Sequence, residues 1–105
     1  MSGSGGGGYV PPQRNAFDCE TSVITTYVSS VDNTVLAKHR IGTILSLTIG
    51  RNNELLLEDG DGEILGALLH TNTSDIIECI IQGADYKAEI QKIASPSCIV
   101  YISSR

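Results

Sequence analysis

The residues of this 105-residue chain that could do chemistry are few and widely spaced. Nucleophilic catalysis needs a Ser or Cys near a His, with an acid that orients the His. The chain has two histidines, His39 and His70, and neither lies in a Gly-x-Ser-x-Gly or His-Glu-x-x-His motif. We therefore expect a protein that is not an enzyme, and we predict no catalytic or cofactor-binding residue.

Three acidic residues, Asp59, Asp61 and Glu63, lie close together around two glycines. A calcium loop of the EF-hand type would need further ligands and a helix on each side. Here Asp-Gly-Asp-Gly separates two apolar runs, which is typical of a hairpin turn because Gly tolerates positive φ. The pattern predicts a turn, and we predict no metal site.

The cysteines Cys19, Cys79 and Cys98 are odd in number and show no Cys-x-x-Cys spacing. A disulfide framework usually has an even count, and zinc sites usually have close pairs. Cys79 and Cys98 lie in apolar runs, where free cysteine behaves as a small hydrophobic residue. We expect reduced cysteines that pack in a core, and hence a cytoplasmic protein.

Charge limits the partners that the chain can bind. Twelve Asp+Glu against seven Lys+Arg leave a net charge of −5, which argues against blanket neutralisation of duplex phosphates. Single-stranded nucleic acid remains an alternative, because such binders combine a basic groove with stacking aromatic side chains. That alternative requires four side chains to converge on one face: Tyr27, Lys38, Arg40 and Arg51.

No apolar stretch approaches the roughly 18–20 residues of a membrane-spanning helix, so we expect no membrane association. The first residues have neither the basic region nor the apolar region of a secretory signal. Because residues 2–8 are only Gly and Ser, we predict a flexible tail over 1–16 and a single domain over 17–105.

Apolar residues in the rest of the chain follow a period of two, except in one stretch. Ile76, Ile77, Ile80 and Ile81 recur at helical spacing before Gly83, which predicts a helix over residues 74–82. Residues 35–38 fit either a short strand or one helical turn. Alternation predicts strands near residues 23–28, 45–49, 54–58, 63–69, 86–91 and 98–102.

Five or six strands with one helix predict a mainly β fold, a small curled antiparallel barrel of the OB/SH3-like kind. The last strand is apolar, and at a sheet edge it would pair with a protein partner or with another copy of the chain. Its alternative role is to close the barrel. The function predicted first is therefore protein–protein interaction through an edge strand or a barrel face, with this edge formed by Ile99, Val100, Tyr101 and Ile102.

Three motifs follow one another in a distinctive order. Ile-Gly-Thr-Ile-Leu at residues 41–45 resembles a Gly-initiated barrel strand, residues 62–68 resemble a "dG-x-x-iGyl" hairpin, and residues 81–90 resemble "ll-x-G-x-x-y-x-A-x-I". Over residues 41–93 the succession is similar to HIRAN domains. The resemblance implies a small OB- or SH3-like barrel and, as the alternative function, binding of the 3′ end of single-stranded DNA. The acidic loop that precedes the hairpin in that family is replaced here by the short segment 50–54.

Overall fold

The computed structural model describes residues 17–105, and the tail predicted for residues 1–16 lies outside this range. The predicted fold class is confirmed: six antiparallel strands curl into a small, incompletely closed barrel that carries two helices. The elements are β1 (Ile24–Tyr27), α1 (Asn33–Leu36), β2 (Ile44–Ile49), β3 (Leu55–Glu58), β4 (Ile64–Leu68), α2 (Thr73–Ile81), β5 (Tyr86–Ala94) and β6 (Ser97–Ser104).

The strand order across the sheet is β1-β6-β5-β2-β3-β4, and every neighbouring pair is antiparallel. The sheet curls until its outer strands meet just after β1. There Ser29 and Ala67 exchange two backbone hydrogen bonds of 2.8 Å. Strands β1, β3 and β5 end, and β2, β4 and β6 begin, at what we call the upper end of the barrel. The opposite end is the lower end.

Inward-facing side chains fill the barrel because alternate residues of each strand point to its interior. Helix α1 lies at the upper end and buries Val35 and Leu36, whereas α2 lies at the lower end and buries Ile76 and Ile77. The buried residues contributed by the strands are Ile24, Leu45, Leu47, Leu55, Leu57, Leu65, Leu68, Tyr86, Ala88, Ile90, Cys98, Val100 and Ile102.

Helix α2 confirms the prediction for residues 74–82, displaced by one residue. It ends as predicted at Gly83, whose φ of +109° is accessible to glycine at little cost. The Ala84 N–H donates to Cys79 O and the Gly83 N–H donates to Ile80 O, both at 2.9 Å, which is the Schellman pattern. Within residues 17–105, no helix combines the length and apolarity needed to cross a bilayer.

Two predictions about local structure need correction. The single helix predicted from the sequence is joined by a second one, α1, which occupies part of the ambiguous stretch 35–38. It forms because the Asp32 carboxylate accepts hydrogen bonds from Thr34 N and Val35 N and so caps the first turn.

The second correction concerns the cysteines. Cys19 and Cys79 form a disulfide, with Cα atoms 5.7 Å apart, so the prediction that they stay reduced is wrong. The bond joins the segment before β1 to α2 across 60 residues of sequence, so no local sequence pattern predicts it. Tyr86 Oη also donates to Cys19 O at 2.6 Å. Cys98 is free and buried, as predicted.

Candidate protein interface on strand β1

Strand β6 was the predicted edge, and that placement is wrong. β6 lies between β1 and β5, so the backbone along Ile99, Val100, Tyr101 and Ile102 pairs on both sides. An apolar strand that is last in the chain need not lie at the edge of the sheet, because long-range packing sets the lateral order of the strands. The strand therefore has the alternative role, as an interior strand of the barrel wall.

Strand β1 instead has an open side. The Val28 N–H donates to Cys98 O at 2.9 Å, toward β6, whereas the Ser29 N–H donates to Ala67 O, away from β6. In an antiparallel ladder the two directions alternate from one residue to the next. Thr25 and Tyr27 therefore direct their N–H and C=O groups away from β6. In the part of the chain that the structure describes, no backbone partner meets them.

The same stretch exposes apolar side chains on its outer face. Ile24, Thr26 and Val28 point inward, and the alternate residues Val23 and Tyr27 point to solvent with exposed fractions of 51% and 62%. This edge thus presents one aromatic and one β-branched side chain to solvent, whereas exposed edge strands usually carry charge.

A shallow cleft adjoins this edge at the upper end of the barrel. Its volume is about 120 Å³, and its walls come from β1, β5 and β6. Tyr27 and Ile99 are cross-strand partners, and Ile99 in turn faces Lys92 across the β5–β6 hairpin. The cleft thus combines apolar walls with one cationic side chain, and its lining is Tyr27, Lys92, Ala94, Ser97 and Ile99.

The four side chains of the nucleic-acid hypothesis do not share one face. Tyr27 is exposed at the upper end, and Lys38 and Arg40 lie in the upper loop between α1 and β2. Arg51 follows β2 at the lower end. It therefore lies about 20 Å from the upper end, which is the length of six strand residues at the usual rise. Lys38 forms an ion pair with Glu63, which raises the pKa of the lysine and offsets its charge.

His39 lies against a carboxylate, an arrangement that could suit a catalytic pair. His39 Nε2 is 3.0 Å from Asp59 Oδ2, and the Asp59 side chain is only 1% exposed. Asp59 Oδ1 accepts hydrogen bonds from Glu63 N at 2.8 Å and from Asp61 N at 2.9 Å. These bonds organise the β3–β4 turn, as the Asp-Gly-Asp-Gly pattern predicted, and attach it to the loop that carries His39.

The pKa of Asp59 is lowered, chiefly by the Glu63 N–H and further by His39, against the opposing effect of burial. The two oxygens of this carboxylate have different partners, because Oδ1 accepts both turn hydrogen bonds and Oδ2 contacts His39. Among residues 17–105, the hydrogen bonds of the His39 side chain go to Asp59 alone, with no Ser or Cys nucleophile. Absence of catalysis stays a prediction.

His70 has a local role at the start of α2. The ring Nδ1 of His70 accepts a hydrogen bond from the backbone N–H of Asn72 at 3.1 Å. The backbone N–H of His70 donates a hydrogen bond to Thr73 Oγ1 at 2.9 Å. Both bonds shape the turn between β4 and α2. The histidine is therefore part of a helix start.

Sequence reasoning missed the β1 edge, although one signal was present. Residues 21–29 contain no charged side chain, in a chain with a net charge of −5. Exposed edge strands usually carry lysine or another charge that blocks pairing. An uncharged strand can lie in the interior of a sheet or at an edge that pairs with a partner. The tertiary structure is needed to distinguish these two positions.

Comparison with known proteins informs the fold alone. No family model matches the sequence, and no curated protein matches it. A crystal structure of a Lactobacillus plantarum protein, determined by a structural genomics consortium, superposes with a TM-score of 0.65 at 14% sequence identity. The match covers 77% of this chain and 93% of that one. At this identity the likeness is one of architecture.

Proposed function

We propose that the protein is a non-enzymatic interaction module that takes an extended protein segment onto the open edge of β1. The observation that carries the proposal is the pair of residues Thr25 and Tyr27, whose backbone groups point away from β6 and have no partner in the described part of the chain. An added strand would pair with these groups, as in strand-addition complexes, and so satisfy them.

The side chains beside these groups favour an apolar partner. Val23 and Tyr27 are exposed on the outer face, next to the backbone groups that would bond the added strand. In strand addition, main-chain hydrogen bonds supply affinity and neighbouring side chains supply selectivity. We therefore expect a segment with β-branched or aromatic residues at alternate positions and few acidic ones, given the charge of −5.

The test is selection of displayed random peptides of about eight residues, a common strand length, against the wild-type protein. Thr25→Pro removes an N–H that points away from β6, so the β1–β6 ladder stays intact. Thr25→Val is the matched control, because it keeps the N–H. We expect selected peptides to lose at least about tenfold in affinity on Thr25→Pro and little on Thr25→Val.

A second variant guards against a folding defect in the proline protein. Tyr27→Lys places a charge on the exposed edge without altering the backbone, and it should weaken the same peptides. Circular dichroism of each variant checks that the fold is kept. Selected peptides that bind all three variants as tightly as the wild type would overturn the β1 proposal.

Single-stranded nucleic acid remains the second candidate, favoured by one observation. Tyr27 is exposed and lines a cleft with Lys92, which places a stacking surface beside a cation. Fluorescence anisotropy with a short single-stranded DNA carrying a free 3′ end tests it at low and moderate salt. Saturable binding that weakens with salt and is lost in Lys92→Glu supports it. No binding at low salt counts against it.

The compartment is also a matter of proposal. The cytoplasmic prediction rested on reduced cysteines, and the Cys19–Cys79 bond removes that premise. Disulfides persist in oxidising compartments and are rare in the cytosol. We therefore propose a compartment that permits disulfides. Free-thiol labelling of protein taken from its native cells tests this, with one reactive thiol after denaturation expected and three contradicting it.

A further inference from the structure

We propose that the Cys19–Cys79 disulfide is a redox-sensitive latch, which a small thiol opens from a cleft at the lower end while the barrel stays folded. The latch holds residues 17–22, which we call the leading segment, against the lower end. Opening the latch frees this segment and uncovers the side chain beneath it. The inference is independent of the proposed function, because it uses neither the open side of β1 nor the cleft beside Tyr27.

The cleft at the lower end gives access to the disulfide. Its volume is about 320 Å³, which exceeds the volume of a small organic thiol. Cys19 is half-buried, whereas Cys79 is only 5% exposed. Because exchange begins when a thiolate reaches one of the two sulfur atoms, access decides which disulfides are labile. Cys19 Sγ is therefore the atom open to attack. The lining of the cleft is Cys19, Glu20, Cys79, Gln82, Gly83, Ala84 and Ser104.

The leading segment has few contacts with the barrel. Its backbone N–H groups at residues 18 and 20–22 donate within the segment, to Asp18 or Ser22. Toward the barrel, Cys19 O accepts from Tyr86 Oη at 2.6 Å, and the ring centroids of Phe17 and Tyr86 lie 6.5 Å apart. In the described part of the chain, the segment adds no strand to the sheet. The disulfide is therefore its strongest attachment.

The buried core of the barrel does not come from the leading segment. Within residues 17–105, the buried apolar side chains belong to residues 24–102, and β1 is held by its own ladder with β6. Tyr86 lies under the segment and is only 1% exposed, and its burial, together with the nearby charge of Asp18, raises its pKa. Opening the latch therefore exposes Tyr86 without removing a strand.

The opening step is a thiol–disulfide exchange. A thiolate of the reductant attacks Cys19 Sγ and forms a new S–S bond, while the electron pair of the old bond leaves with Cys79 Sγ, which takes up a proton. A second thiolate then attacks the reductant's sulfur in this mixed disulfide and releases Cys19, which is protonated in turn. Two thiols of the reductant are thereby oxidised to one disulfide, and the protein gains two thiols.

The charge at the cleft discriminates among thiols. Glu20 is the charged side chain among the described residues that line the cleft, and Asp18 lies two residues before it. Arg105 follows Ser104 but pairs with Asp85, with Nε and Oδ2 3.2 Å apart. A thiolate with a further negative charge is therefore repelled, whereas one with an ammonium group is attracted. The reductant that fits is a thiol or dithiol of neutral or positive charge.

The first experiment compares two monothiols at low salt, cationic cysteamine and anionic 2-mercaptoethanesulfonate. Each rate of disulfide opening is divided by the rate of the same thiol with a small neutral disulfide, which removes differences in intrinsic reactivity. Cysteamine should be faster by at least about threefold, and Glu20→Gln should reduce this preference. Asp61→Asn, an exposed carboxylate in the β3–β4 turn, is the matched control and should leave it unchanged. No preference in the wild type would overturn the proposal.

Gly66→Ala distinguishes attack on the folded protein from attack after unfolding. A Cβ atom at this position would lie 2.6 Å from Ser29 O, so the variant should be less stable, as urea denaturation can confirm. Attack through the cleft should keep the wild-type rate, whereas attack on the unfolded chain should accelerate about fivefold or more. Mixed disulfides trapped with acid should carry the thiol on Cys19. Acceleration in Gly66→Ala, or a thiol found chiefly on Cys79, would overturn the latch.

Release of the leading segment has its own readout. Iodination, with the modified sites located by mass spectrometry, should spare Tyr86 in the oxidised wild type and modify it in Cys19→Ser/Cys79→Ser. Amide hydrogen exchange of β2–β4 should stay slow in both proteins, because the barrel remains folded. Protection of Tyr86 in the double variant, or fast exchange throughout these strands, would overturn the latch. Peptide selection with Thr25→Pro is independent of these results and decides the proposed function separately.

Discussion

Asp59 is the residue in which turn geometry, burial and charge come together. Its carboxylate accepts two backbone hydrogen bonds across the β3–β4 turn and contacts His39 from the neighbouring loop. The turn hydrogen bonds favour the charged form more than burial opposes it, so the pKa of Asp59 lies below its ordinary value. One side chain therefore joins two loops at the upper end of the barrel.

This lowered pKa makes stability depend on pH in a defined direction. The carboxylate contributes stability that is fully present above its unfolded-state pKa of about 4 and is lost as pH falls through its lower folded-state pKa. Asp59→Asn removes the part of the pH dependence that comes from this carboxylate. Urea unfolding should therefore show the largest difference between wild type and Asp59→Asn at neutral pH, shrinking below about pH 4.

The control for this prediction is Asp61→Asn, an exposed position in the same turn. It should change the unfolding free energy little at any pH. Some acid dependence should remain in Asp59→Asn, because hydrogen bonds from Glu20 N and Thr21 N also lower the pKa of Asp18. A difference between wild type and Asp59→Asn that stays constant down to about pH 2.5 would contradict the assignment.

At the scale of elements, closure of the barrel depends on a close approach between β4 and the segment after β1. Gly66 lies at this approach. A Cβ atom placed there would be 2.5 Å from Val28 Cγ1 and 2.6 Å from Ser29 O. The second contact is with backbone and cannot be relieved by a rotamer change. Glycine is needed here for space, since its φ is not in the left-handed region.

Gly66→Ala should therefore force the two segments apart. We expect a loss of about 1–3 kcal/mol in unfolding free energy, the usual cost of overpacking, measured by urea denaturation. Gly60→Ala is the matched control, because no atom lies within 4 Å of its added Cβ. It should change stability by less than about 0.5 kcal/mol. Equal effects at the two glycines would show that the β1–β4 approach is looser than described.

At the scale of the whole molecule, the Cys19–Cys79 disulfide closes a covalent loop that contains most of the barrel. The bond ties the segment before β1 to α2 at the lower end, where Phe17 also packs against Tyr86 with ring centroids 6.5 Å apart. A link across 60 residues restricts the unfolded chain strongly, because the entropy of loop closure grows with loop length. The bond thus compensates for the modest core of a small domain.

Loss of this bond should lower the unfolding free energy by about 4 kcal/mol on the chain-entropy account. Cys19→Ser/Cys79→Ser and the reduced wild type should give similar urea midpoints, both below that of the oxidised protein. Reductant should leave the double variant unchanged. A wild type whose midpoint does not respond to reductant would contradict the prediction.

Local sequence patterns were sufficient to predict the individual strands and helix α2. Alternating apolar residues specified the strands, the isoleucine spacing and Gly83 specified α2, and the Asp59-Gly60 turn specified the β3–β4 hairpin. In each case the signal lies within a few residues, because backbone periodicity and turn conformation depend on near neighbours. The mainly β barrel followed from the number and polarity of these elements.

The lateral order of the strands and the contacts between distant side chains could not be predicted from local patterns. The tertiary structure placed β6 inside the sheet, left one side of β1 open, joined Cys19 to Cys79 and set His39 against Asp59. A strand of given pattern fits an edge or an interior position equally well, and two residues far apart in sequence carry no local mark of their contact. These choices are settled by the packing free energy of the whole chain, in which every strand competes for the same partners.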